Sequence, residues 1–90
     1  MKYALKDNMQ IDCFSDGEMV VYDQITEVTH VLNITAAMIL NLVIHNEDDP
    51  LDSFVKNIQR LHPDVPIAKL EEDFRNMISN FLESKIIIIR

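Results

Sequence analysis

Ninety residues allow one small domain, residues 1–90, and leave no room for a second lobe or a long lid. Apolar residues make up 48% of the chain, enough for a continuous core, which excludes a disordered polar chain. Fifteen acidic residues against eight Lys and Arg give a net charge of −7, which argues against non-specific binding to nucleic acid or to an anionic membrane.

The first third of the chain predicts β-structure. Ile11-Asp12-Cys13-Phe14 is the first strand and stops at Ser15-Asp16-Gly17-Glu18. Asp-Gly is a hairpin signal because Gly accepts positive φ. Met19-Val20-Val21-Tyr22 is the second strand, rich in residues that suit a pleated surface. Asp23-Gln24-Ile25-Thr26-Glu27 is the second turn, and Val28-Thr29-His30-Val31-Leu32 the third strand. Three strands with two tight connections predict an antiparallel meander.

From Asn33 the period becomes helical. Asn33 is a good N-cap, since its side chain can accept from the free amides of the first turn. Residues 34–44 are apolar on nearly every side, which predicts a central helix. Asn46-Glu47-Asp48-Asp49-Pro50 ends it. Asp49 caps a second helix with Pro50 at its first position, and Leu51, Phe54, Val55, Ile58 and Leu61 share its apolar face. After the break at residues 62–66, a third helix runs to about Ser84. It carries Ile67, Leu70, Phe74, Met77, Ile78, Phe81 and Leu82 at helical spacing. Residues 86–89, four isoleucines, predict a short strand packed on the first one, because four exposed isoleucines would aggregate.

This order predicts an α+β, winged-helix-like domain: a three-stranded antiparallel sheet followed by three helices over a shared core. The expected core is Leu32, Ile39, Leu40, Val43, Phe54, Ile58, Leu70, Phe74, Ile78 and Phe81. The third strand ends the sheet with an open edge, and Thr29-His30-Val31-Leu32 carries neither the Lys nor the Pro that usually protects one. An unprotected edge invites a partner strand.

Signals for covalent chemistry are weak. The single glycine, Gly17, cannot build a phosphate-cradling loop, and no nucleophile elbow or HExxH is present. His30, His45 and His62 fall on a strand, a helix end and a loop with no metal-ligand spacing. Cys13 excludes an internal disulfide and reads as a buried, inert thiol. Glu47, Asp48, Asp49 and Asp52 read as dipole-complementing acids at a helix start rather than a cation site. The five methionines read as core filler. The N-terminus shows no signal-peptide pattern and no apolar run is long enough to span a bilayer, so the expected location is the cytoplasm.

One stretch carries a resemblance. Residues 17–23, then Leu32-Asn33 and Thr35-Ala36-Ala37 opening an apolar helix, Asp64-Val65 at a break and Phe81-Leu82 near the end of the last helix resemble the PqqD family. Lys85 stands where that family often has Gly, and His45-Asn46-Glu47-Asp48 where it often has a basic Gly-Arg turn. The resemblance implies a RiPP recognition element, a non-catalytic peptide chaperone of natural-product biosynthesis with no cofactor. It would bind the leader of a ribosomally made precursor peptide by strand addition. It would then present the peptide to a modifying enzyme, often a radical S-adenosylmethionine enzyme. The implied peptide-binding residues are Glu27, Val28, Thr29, His30, Val31 and Leu32 on the third strand. One shoulder of the last helix, Glu71, Arg75, Ile78 and Leu82, is added as the facing wall, with Arg75 placed to hold an acidic leader residue. The alternative is a winged-helix DNA-binding regulator. Its recognition helix would hold Glu71, Glu72, Asp73 and Glu83 against Lys69 and Arg75, a surface that repels phosphates.

Overall fold

The computed structural model describes residues 2–45 and 48–90; Asn46 and Glu47, part of the expected break and acidic cluster, lie outside the described residues. The elements are β1 (Tyr3–Leu5), β2 (Met9–Cys13), β3 (Met19–Asp23), β4 (Thr29–Leu32), α1 (Ile34–Ile44), α2 (Pro50–Leu61), α3 (Ile67–Glu83) and β5 (Ile87–Ile89). The predicted meander is β2-β3-β4, antiparallel throughout. A second, two-stranded ribbon pairs β1 with β5.

That ribbon corrects the expectation for residues 86–89. They do form a strand, but its partner is β1, with Tyr3 opposite Ile89 and Leu5 opposite Ile87, and not residues 11–14. Ile86 and Ile87 are buried, whereas Ile88 and Ile89 stay exposed. Lys85 leads into β5 with φ 59, the left-handed conformation that glycine usually supplies. Ile86 N–H donates to Phe81 C=O and Lys85 N–H to Leu82 C=O, the two bonds of a Schellman ending. Lysine thus takes the left-handed turn position that glycine more often fills.

Both predicted helix caps form. Asn33 Oδ1 accepts from Ala36 N at 2.8 Å and Asp49 Oδ1 from Asp52 N at 3.0 Å. Removing the first by Asn33→Ala should cost about 0.5–2 kcal/mol, read as a lower Tm; no change would mean that the helix start is held by packing alone. Around α1 the core collects Met19, Val21, Leu32, Ile39, Leu40, Phe54, Phe81 and their neighbours. Nine of the ten expected core residues are buried, and Ile58 is partly so. Leu61 departs from its predicted face and is exposed, because it ends α2 where the chain turns away. Cys13 is also exposed, against expectation, since it ends β2 beside the hairpin and nothing packs over it.

The β3–β4 connection is built around a buried carboxylate. Asp23 Oδ1 accepts from Asn8 Nδ2 at 2.6 Å, Ile25 N at 2.9 Å and Thr26 N at 3.1 Å. These bonds, that from Thr26 foremost, outweigh desolvation and lower the Asp23 pKa to about 2. The folded pKa lies below the unfolded one. The stabilisation is therefore complete above the unfolded value and is lost as pH falls through the folded one. Stability should drop between about pH 4 and pH 2, and Asp23→Ala should flatten that drop in acid titrations of Tm while lowering Tm at neutral pH.

Candidate peptide-binding edge

The hydrogen-bond phase of the sheet shows which groups its open edge offers. Asp23 N–H donates to Val28 C=O at 2.9 Å, which makes 23 and 28 a hydrogen-bonded pair. The register places Val21 opposite His30 and Met19 opposite Leu32. Bonded and non-bonded pairs alternate in an antiparallel ladder, so Val28, His30 and Leu32 turn their main-chain groups toward β3. Thr29 and Val31 turn theirs the other way, toward the unpaired side of β4. The edge therefore presents two N–H donors and two C=O acceptors at alternate residues, the pattern that an added strand needs.

Side chains mark the same edge. Ile25, Val28, Val31 and Ile34, in and around β4, are 76%, 47%, 69% and 52% exposed; Val28 shares the face of His30 and Leu32, and Val31 lies on the other. Four large apolar side chains exposed within ten residues favour a covering partner. The opposite edge of the sheet, β2, carries the charge of Asp12 within the strand. A charge in mid-strand is one of the devices that discourage edge pairing.

The sequence-derived site residues separate into groups. Thr29 and Val31 are exposed on β4, His30 is half-buried on the core-facing side, and Leu32 is buried. Val28 immediately precedes the strand. Glu27 is not strand: it sits in the turn with φ 64, and its N–H donates to Asp23 C=O at 2.8 Å. On α3, Arg75, Ile78 and Leu82 line one cavity of about 260 Å³ with Tyr3, Phe74 and Ser79. Ile78 is a buried part of its wall. Glu71 faces elsewhere, into the α2–α3 cleft with Val55, Lys56 and Ile67. No β4 residue lines the Arg75 cavity, so the helix shoulder and the strand edge do not share one described cavity. Arg75 Nη2 lies 3.7 Å from Glu71 Oε2, an exposed pairing worth a few tenths of a kcal/mol at most.

Ile25, Ile34 and Tyr3 were missed by sequence reasoning. The exposure of Ile25 and Ile34 depends on which side of the turn and of α1 packs inward, and the approach of Tyr3 to α3 depends on the long-range ribbon; neither is written in local spacing.

Among the described residues no group of three or more His, Cys, Asp or Glu is placed to hold a metal ion, and no helix is long and apolar enough to cross a membrane. No protein-family model matches this chain, and no curated protein does. Solved structures do. One, described as lasso peptide synthetase B1 complexed with the leader peptide, superposes with a TM-score of 0.81 over 99% of this chain and 100% of that one, at 19% identity. The fold matches that of lasso peptide synthetase B1. A second, TbiB1 in complex with the TbiA(beta) leader peptide, superposes with a TM-score of 0.73 at 20% identity, covering 97% of this chain and 94% of that one. The superposition on lasso peptide synthetase B1 takes in the ribbon as well as the meander and helices.

Proposed function

We propose that this chain is a peptide-binding adaptor that takes up an extended segment as a fourth strand on β4 and holds it for a modifying enzyme. The observation that carries the reading is the unpaired edge of β4, where the main-chain groups of Thr29 and Val31 face outward and the side chains of Val28 and Val31 are exposed. Main-chain bonds to these two residues supply affinity that tolerates sequence, and the flanking apolar side chains supply preference. Both solved neighbours were captured with a leader peptide, which supports the leader of a ribosomally made precursor as the peptide class.

The site in this reading is Thr29, His30, Val31 and Leu32 with Val28 and Glu27 at its entrance. On α3 it keeps Arg75, Ile78 and Leu82, which share a cavity, and drops Glu71, which faces α2. The adaptor does no covalent chemistry; the bound enzyme does. DNA recognition finds no support on α3, whose two cations, Lys69 and Arg75, pair with Asp73 and Glu71. Titrating the leader of a precursor encoded beside this gene into ¹⁵N-labelled protein tests the proposal. Shifts should concentrate at the amides of residues 28–32 and spread to Arg75 and Leu82. Shifts confined to the hairpin at Asp16-Gly17 would reject strand addition at β4.

A further inference from the structure

The charges of this protein are not mixed. Between Lys6 and Lys56 the sequence has no Lys or Arg, a stretch that contains the whole meander and α1. The described ion pairs all lie on α2 and α3: Lys56 with Asp52, Lys69 with Asp73, and Arg75 with Glu71. On the sheet side, Asp7, Asp12, Asp16, Glu18 and Glu27 form no ion pair among the described residues, and all but the half-buried Glu18 are exposed. Three acids of α2 and α3 are paired with bases on their own helix, whereas the acids on the sheet side are not.

The acids also bracket that edge. Glu27 stands immediately before β4. Past its other end, Asp16 and Glu18 line an open cavity of about 380 Å³ with Asn33, Ile34 and Thr35. Glu18 N–H donates to Asp16 Oδ1 at 2.9 Å, and this bond holds the Asp16 carboxyl below its usual range. The Glu18 carboxyl is pushed up, first by its side-chain hydrogen bond with Asp16 and then by that residue's charge. An arriving cation would relieve this crowding. At roughly 3.3 Å per residue, the two acidic positions are separated by about the length of a six-residue strand.

Building on the strand-addition reading, we propose that the segment bound at β4 is a cationic peptide: an apolar centre of about six residues that meets Val28, Val31 and Ile34, with Lys or Arg near each end. Complementary charge would steer the encounter and fix the register, and it would turn away acidic segments with equal apolar content. On this account Arg75, already beside Glu71, is not the main determinant of charge preference.

A displayed library of random ten-residue peptides, selected on the full-length chain and counter-screened on Val31→Pro, separates this proposal from the reading beneath it. Binders lost on Val31→Pro are edge binders. Their Lys and Arg should outnumber Asp and Glu by about two to one or more, and a synthetic copy of the best should bind at least ~10-fold more weakly to Glu27→Lys or Glu18→Lys. Its association rate should also fall as salt rises from about 50 to 500 mM. Edge binders without excess cation, or with affinity indifferent to both charge reversals, overturn the charge proposal and leave strand addition standing. Binders that all survive Val31→Pro overturn both.

Discussion

Truncating Phe54 to alanine should destabilise the fold by about 3–5 kcal/mol. The side chain is 1% exposed, and its ring centre lies 5.8 Å from that of Phe74 in a tilted contact that joins α2 to α3. The cost combines lost transfer energy with a cavity that three crossing helices cannot close, plus the aromatic contact itself. A domain of this size holds roughly 5–13 kcal/mol in total, so the variant should sit near the edge of folding. Urea titration reads the loss, and an unchanged m-value would show that the unfolded state is the same. Leu61→Ala is the control: Leu61 lies on the same helix but is exposed, and its loss should stay within about 0.5 kcal/mol. A loss below about 1 kcal/mol for Phe54→Ala would mean that the helices close over the gap.

Val31→Pro should abolish or strongly weaken peptide binding while leaving the fold in place. Proline removes one N–H, and the phase of the ladder assigns the N–H of Val31 to the open edge rather than to β3. Edge positions whose N–H faces solvent tolerate proline, and Val31 is already 69% exposed. Binding should fall at least ~10-fold. One net hydrogen bond of about 1 kcal/mol is lost, and a peptide carbonyl is left facing the proline ring. His30→Pro is the opposite case. Its N–H belongs to the β3 ladder, so the same substitution one residue away should unfold the sheet. Equal effects of the two prolines on stability would show that the ladder is phased the other way.

The meander, three helices and both side-chain caps were legible because local chemistry decides them. Asp16-Gly17 closes a hairpin, Asn33 and Asp49 accept from the first-turn amides, and Phe74, Ile78 and Phe81 repeat at helical spacing. The β1–β5 ribbon was only half legible. Its strands are three residues each and lie at opposite ends of the chain, so no local pattern names the partner. Cys13 and Leu61 were placed inside because periodicity cannot see where an element ends. For the site, the sequence marked the strand but not its phase. The alternation that turns Thr29 and Val31 outward follows from one bond, Asp23 to Val28. Glu71 does lie one turn from Arg75, as its spacing implies, but it lines the cleft against α2 rather than the cavity of Arg75, Ile78 and Leu82, and what packs against α3 is not written in the spacing.

Amide hydrogen exchange with and without a bound leader peptide tests the central claim most directly. In the free protein the amides of His30 and Leu32 are tied to β3, whereas those of Thr29 and Val31 are open to water. On binding, Thr29 and Val31 should gain protection of about tenfold or more, while His30 and Leu32 change little beyond any general stabilisation. Protection that appears instead at Ile11 and Cys13 on the β2 edge, or at no strand amide at all, would contradict strand addition at β4.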